Sequence, residues 1–373
     1  MIPVNELLLN GREKELLSEC IDTKWISSEG PFVSAFEKIF SGMVGRRFGI
    51  AVSSGSAALD VIIKAIGIEE GDEVIMPTFT IISPAASIVR AGGVPVLIDS
   101  DPVTLNMDVS QIEAKITDKT KAILVVHIYG LPADMNPIME LAAKYNLKII
   151  EDAAEMHGQT YFGRPCGSFG DISAFSFYAN KLITTGEGGM IVTDDEALGE
   201  RCRSLRNLCF QSQKRFIHEE LGWNFRMCNV QAALGVAQCE RLTEFVARKR
   251  RMGELYAKLL SETPFLQLPL ERTAYAQNIY WVYGIVLEDS APFDAEEAMK
   301  YLSRCDIGTR PFFWPMHEQP VFRKLNLFKN ESFPVAERIA RRGFYLPSGI
   351  ALSEEQIETV ARKVKSLMKE CCS

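Results

Sequence analysis

No apolar run in this chain approaches the roughly 20 residues that a membrane helix needs, so no membrane partner is expected. Base is not in surplus either. The 48 acidic residues outnumber the 41 basic ones and leave a net charge of −7. A general grip on nucleic acid needs a basic surface, so nucleic acid is not an expected partner. The nine cysteines include no C-x-x-C pair, and none lies near a histidine at zinc spacing, so no metal site is expected. Their odd number and scattered placement suit reduced thiols. Cys371 and Cys372, adjacent at the C-terminus, are expected to be exposed and prone to oxidation. The opening "MIPVNELLLNGREKELL" lacks a basic stretch followed by a long apolar core. With the thiols, this points to the cytoplasm. Internal repeats and linker-like tracts are also missing, and no G-x-G-x-x-G follows the first strand candidate, which counts against a nicotinamide-dependent enzyme.

What is present is an ordinary globular composition. Hydrophobic residues make up 47% and charged residues 24% of 373 positions, enough for a large core and more than one domain. Short continuous apolar runs recur at 48–54, 72–77, 94–99, 121–127 and 147–152. Buried parallel strands look like this. Helical patterns lie between them, such as "AALDVIIKAIG" closed by Gly67 and "NPIMELAAKYN". The alternation predicts a doubly wound α/β domain. From about residue 190 the pattern turns helical. The stretch 229–261 reads as one long helix that could link a large domain to a smaller one. Candidate strands and helices then alternate to the end, as in a small α+β domain. The expected division is residues 1–248 and 249–373.

Three features carry chemistry. Ser53-Ser54-Gly55-Ser56-Ala57 runs from a strand into a helix start, where unpaired backbone N–H groups and the helix dipole attract an anion such as phosphate. Glu151-Asp152 closes the strand "LKII", and ligands of open α/β sheets collect at strand ends. Lys181 follows the strand candidate "SAFSFYANK" and precedes Leu182 and Ile183. Partial desolvation there favours the neutral amine, which can form a Schiff base. Ser176 offers a hydroxyl for phosphate, and Gly186, Gly188 and Gly189 allow a tight turn. Each feature alone has a plainer reading: a serine cap, a helix cap and a snorkelling lysine. Together, in this order, they match what pyridoxal phosphate needs: a phosphate cradle, a carboxylate for the pyridine nitrogen and an amine for the aldehyde.

With "SSGSAAL", "GDEVIMPTFT", "VHIYG", "IEDAAE", "GSFGDISAFSFYANKLITTGEGG", "NFRMCNVQAALG" and "RPFFWPMH" in order, nearly the whole chain resembles the nucleotide-sugar aminotransferases of the DegT/StrS type. The resemblance implies the fold type I pyridoxal-phosphate architecture: a large doubly wound domain with a mostly parallel sheet and a small C-terminal α+β domain. It implies Lys181 as the Schiff-base lysine and Asp152 as the partner of the pyridine nitrogen. Glu155 holds a position that usually faces the ring hydroxyl, where many relatives carry Gln or His. Gly55, Ser56, Ala57 and Ser176 are implied around the phosphate. Asn224 is implied to reach it from a neighbouring subunit, so a homodimer with shared sites is expected. Ile81 stands where relatives commonly stack an aromatic ring; it can pack the cofactor face without π-stacking.

Some relatives carry histidine at the lysine position and dehydrate the sugar, so Lys181 favours transamination. The implied substrates are L-glutamate, which leaves pyridoxamine phosphate, and a nucleotide-linked 4-keto sugar. "RPFFWPMH" is most like the branch acting on GDP-4-keto-6-deoxymannose; UDP- and dTDP-sugars are the alternatives. Arg310 and His317 are candidate contacts to sugar or diphosphate, against plainer readings as a surface arginine and a packed histidine. His218 is a candidate on a loop reaching the other subunit's site, and His127 and His157 are expected to be structural. A binding protein that keeps the fold without catalysis is the remaining rival.

Overall fold

A computed structural model describes residues 1–211 and 214–370, so the Cys371–Cys372 pair lies outside the described residues. The chain opens with helices α1 (Glu13–Asp22) and α2 (Pro31–Val44). Five strands follow, β1 (Phe48–Val52), β2 (Glu73–Pro77), β3 (Val94–Ile98), β4 (Thr120–Val126) and β5 (Lys148–Asp152), with α3 (Gly55–Ala65), α4 (Ser83–Arg90) and α5 (Met135–Tyr145) between them. A small hairpin, β6 (Thr160–Tyr161) and β7 (Arg164–Pro165), precedes β8 (Ile172–Ser176) and β9 (Gly189–Thr193). Seven strands form one sheet in the order β1-β9-β8-β5-β4-β2-β3. Only β9 runs against its neighbours β1 and β8, so β1, β2, β3, β4, β5 and β8 all end at one edge. That edge holds the site.

The strands read as continuous apolar runs because both faces of the sheet are covered. Along β4, Ala122, Leu124 and Val126 enter the core under α3 and α4, while Ile123 and Val125 enter the opposite core under α2 and α5. The pleat sends alternate residues to opposite faces, yet both faces are dry.

After β9 come α6 (Glu196–Arg206), α7 (Asn229–Cys239) and α8 (Leu242–Leu260). The single helix expected over 229–261 is therefore two, broken at Glu240 and Arg241. The break has a packing reason. In α7, Ala232, Ala233 and Val236 belong to the large-sheet core, and Gly235 leaves room only for the ring of Phe36. In α8, Met252, Tyr256 and Leu260 belong to a third core, under a second sheet. One straight helix cannot serve both cores. Local apolar spacing continues through the bend, so the sequence pattern does not show it.

The second sheet is antiparallel and four-stranded: β10 (Leu266–Gln267), β11 (Tyr283–Leu287), β12 (Arg310–Pro311) and β13 (Gly343–Leu346), in the order β10-β11-β13-β12. Helices α9 (Ala295–Arg304), α10 (Pro320–Lys324), α11 (Pro334–Arg342) and α12 (Glu354–Glu370) complete the chain. Among the described residues no helix is long and apolar enough to cross a membrane.

One ionic node ties α2, β1 and α6 together. The carboxylate of Glu37, 8% exposed, accepts from the Ala51 amide at 2.9 Å and pairs with Arg203 at 2.9 Å and Arg206 at 2.6 Å. Removing a carboxylate from such a node leaves cations unpaired in a half-buried site. Glu37→Gln is expected to cost on the order of 3 kcal/mol, seen as a lower denaturation midpoint with an unchanged slope.

Candidate active site

At the end of β1 the chain turns through Ser53 and Ser54 into α3. The Ser54 hydroxyl caps the helix, accepting from the Ala57 amide at 3.1 Å. Gly55 and Ser56 open the helix, and their amides have no intrahelical acceptor. The Ser56 hydroxyl meets that of Ser83, at the start of α4, at 2.7 Å. Ser176, the last residue of β8, stands opposite. A Cβ on Gly55 would lie 2.8 Å from the Ser176 Cβ, so the close approach of turn and strand requires glycine. Gly55, Ser56, Ser83 and Ser176 line one end of a cavity of about 420 Å³.

The pleat separates two adjacent acids at the end of β5. Glu151 points into protein, fully buried, and accepts the amides of Gly167 at 2.6 Å and Phe169 at 2.8 Å. His127 Nε2 lies 3.0 Å from it. The Ala133 amide donates to His127 Nδ1, so the imidazole proton sits on Nε2 and points at Glu151. Burial would raise the Glu151 carboxyl; His127 and these amides outweigh it and hold it below the usual range. Asp152, one residue on, faces the cavity instead. Burial raises its carboxyl, opposed by the Ala154 amide and the charge of Lys181.

Lys181 lies in the turn after β8, with Leu182 and Ile183 beside it at 2% and 0% exposure. Its Nζ is 3.8 Å from Glu155 and 3.9 Å from the ring centroid of Trp281. Burial lowers the affinity of this amine for its proton, while Glu155 and Asp152 oppose that. Glu155 accepts from the Tyr129 amide at 2.7 Å, and burial pushes its carboxyl up to about 7 despite Lys181. The turn is braced from below. The Ile183 amide donates to His157 Nδ1 at 3.1 Å, and burial drives His157 down to about 3, so it is neutral. Of the three glycines, only Gly186 has a left-handed φ, at 78°. Gly188 and Gly189 are needed for contact: a Cβ would collide with Thr185 Oγ1 at one and with the Ser54 carbonyl at the other.

The model of the DegT/DnrJ/EryC1/StrS aminotransferase family matches residues 8–365. The chain belongs to this family. It is 41% identical to a GDP-perosamine synthase of Escherichia coli O157:H7 over 99% of each chain, and 40% identical to one of Caulobacter vibrioides over 94% of each. Among solved structures, the aminotransferase TlmJ of Streptoalloteichus hindustanus superposes with a TM-score of 0.93 over 100% of both chains at 30% identity. DesV of S. venezuelae gives 0.89 over 96% of this chain and 94% of that one, at 31% identity.

As an aminotransferase of this family the protein uses pyridoxal phosphate, and the residues present fit it. The turn whose glycine a Cβ would displace is a cradle for phosphate. A buried carboxylate that burial raises suits a cationic ring nitrogen. An amine whose hold on its proton burial weakens suits an aldehyde. Ile81 also lines the cavity, 47% exposed.

Several expected contacts lie elsewhere in the single chain. Ala57 turns its side chain into the core, and its amide is taken by Ser54. Asn224 and His218 are exposed and outside the cavity; His218 Nδ1 bonds the Leu208 carbonyl at 2.7 Å. Arg310 is exposed on β12, paired in register with the cavity-lining Tyr345. His317 is 3% exposed and uses both ring nitrogens, toward Thr78 at 2.9 Å and Glu337 at 3.1 Å. It fastens the 312–317 segment to the end of β2 and leaves no atom for a sugar.

The sequence reading missed the aromatic wall: Trp281, Phe313 and Tyr345. Behind it, buried Tyr129 accepts the Phe313 amide on its hydroxyl at 3.2 Å. The three wall rings lie 100 or more positions from Lys181 along the chain. Tyr129, which backs the wall, takes a left-handed conformation at φ 57°.

In the cofactor-free protein Glu155 keeps its proton to about 7 when folded and ionises near 4.5 when unfolded. The folded state therefore binds the extra proton in that window, and stability falls as pH rises through it. Glu155→Gln, which cannot titrate, is expected to flatten this limb in thermal melts taken from about pH 4.5 to about pH 7.

Proposed function

We propose that this enzyme moves an amino group from L-glutamate to C4 of GDP-4-keto-6-deoxymannose, giving GDP-perosamine and 2-oxoglutarate. The observation that carries the reading is the amine of Lys181, buried in one cavity with Asp152 and the Gly55–Ser56 turn. The choice of nucleotide sugar is supported by three GDP-perosamine synthases at 37–41% identity. A UDP-sugar 3-aminotransferase of Acidithiobacillus ferrooxidans is 37% identical over 89% of this chain, which makes UDP-sugars the comparison to run.

Bound pyridoxal phosphate supplies an electron sink that lets the Cα–H bond of the amino donor break. The chain supplies the rest. Gly55, Ser56 and Ser176 hold the phosphate, and Asp152 keeps a proton on the ring nitrogen. Lys181, its amine freed by the donor, would take the proton from the donor Cα and return it to the carbon on the far side of the donor nitrogen; with the sugar it would work in the opposite direction. Glu155, poised near neutrality, sits at 3.8 Å to steady that amine. Trp281, Phe313 and Tyr345 exclude water from one side. In this reading residues 1–248 carry the cofactor and 249–373 wall the cavity, and the enzyme works in the cytoplasm. Asn224 and His218 reach a site only across a homodimer, where one subunit's 218–224 segment meets the partner's cavity.

The test is a panel of GDP-, UDP- and dTDP-4-keto sugars with L-glutamate, following 2-oxoglutarate. Turnover is expected with the GDP-sugar and to fall by more than about 10³-fold in Lys181→Ala, with loss of the visible cofactor band. Water loss from the sugar without 2-oxoglutarate overturns the reading.

A further inference from the structure

Lys249, in the middle of α8, is 2% exposed. Among the described residues no carboxylate pairs with it, and burial pushes its amine down to about 7. A lone cation there is costly, so the amine needs a reason to be inside. It donates to two backbone carbonyls, that of Trp281 at 2.7 Å and that of Ser348. Two acceptors satisfy the two N–H bonds of a neutral amine, whereas an ammonium has three.

The two carbonyls belong to the segments that wall the cavity. Trp281 lies two residues before β11, and Ser348 two residues after β13. The Ser348 hydroxyl accepts the Tyr283 amide at 2.8 Å, which locks the two segments together. From that anchor the Trp281 indole reaches the catalytic turn: Nε1 donates to the Asn180 carbonyl at 2.9 Å, and the ring face covers the Lys181 amine at 3.9 Å. Tyr256, two turns along α8, holds the Pro347 carbonyl at 3.0 Å but does not bond Trp281. Among the described residues, Lys249 is the one side chain of α8 that hydrogen-bonds the residue covering Lys181.

We propose that Lys249 is a positioning residue: by holding the Trp281 carbonyl it keeps the indole over Lys181 and sets how firmly that nitrogen holds its proton. A ring face favours a cationic nitrogen. Losing the contact therefore lowers the pH at which the nitrogen deprotonates. The inference rests on Lys181 as the cofactor-bearing lysine.

The experiment compares holoenzymes: wild type, Lys249→Met, Trp281→Ala and the double variant. Each is followed by the pH midpoint of its visible cofactor band and by melting temperature. Lys249→Met and Trp281→Ala are each expected to lower the midpoint by about 0.5 pH unit or more, and the double variant to match Trp281→Ala. A lower melting temperature with an unmoved midpoint, or additive shifts in the double variant, reduces Lys249 to a packing residue and overturns the proposal. Should Lys249→Met fail to fold, Lys249→Gln, which keeps an N–H donor, is judged on whether its midpoint lies between wild type and Trp281→Ala; a midpoint outside that interval overturns the proposal. Lys181→Ala separates the premises. If it keeps the visible band, the reading of Lys181 falls and this proposal with it; if it loses the band, the Lys249 result stands on its own.

Discussion

The structure depends on holding one amine and two carboxylates together in one cavity at the edge of a sheet. Lys181, Asp152 and Glu155 are all buried or nearly so, and burial acts on them in opposite senses: it weakens the amine's hold on its proton and strengthens that of the acids. Their mutual attraction limits both effects. The result is a set of neighbouring acids and a base whose proton affinities are drawn toward one another, with Glu155 brought to about 7. Such a cluster would relax or fill with water unless its backbone were fixed from several sides.

Much of the seven-stranded sheet and its loops supplies that fixing. The parallel strands bring Asp152 and Ser176 to one edge, with the end of β1 beside them across β9. Glu151, one residue from Asp152, spends its charge on the amides of Gly167, Phe169 and Gly170 and so ties the end of β5 to the loop before β8. His157 holds the Lys181 turn, and Gly189 lets β9 pass against the Ser54 turn. Buried ionisable groups outside the cavity thus serve as braces for those inside it. The small sheet contributes aromatic surface rather than charge, and the indole of Trp281 is fixed at the rim by its bond to the Asn180 carbonyl.

Much of this was legible in the chain. Strands buried on both faces carry no polar alternation, so their apolar runs stood out, and β1 to β5 fell within a residue or two of expectation. The turn serines, Asp152 and Lys181 were visible because strand ends in an α/β sheet gather at one edge. The bend between α7 and α8 was not. Its apolar spacing is unbroken, and only the positions of two separate cores require it. The choice between the two readings of His317 was not legible for a similar reason: a histidine among prolines and aromatics is compatible with a ligand or with packing, and its two nitrogens are seen to be in use only once Thr78 and Glu337 are placed beside it.

What the sequence alone determined is placement: which strand ends bear the amine, the acid and the glycine-serine turn, since these follow from local runs and their order. Only the tertiary structure decided which neighbours those groups meet. Glu151 and Asp152 differ by one pleat step, and one becomes a brace while the other faces the cavity. Trp281 and Tyr345 lie 100 and 164 positions beyond Lys181 in the numbering, yet they wall the same cavity. Spacing along a chain encodes which face a residue takes, but the meeting of distant segments is set by packing, and packing is a property of the whole fold.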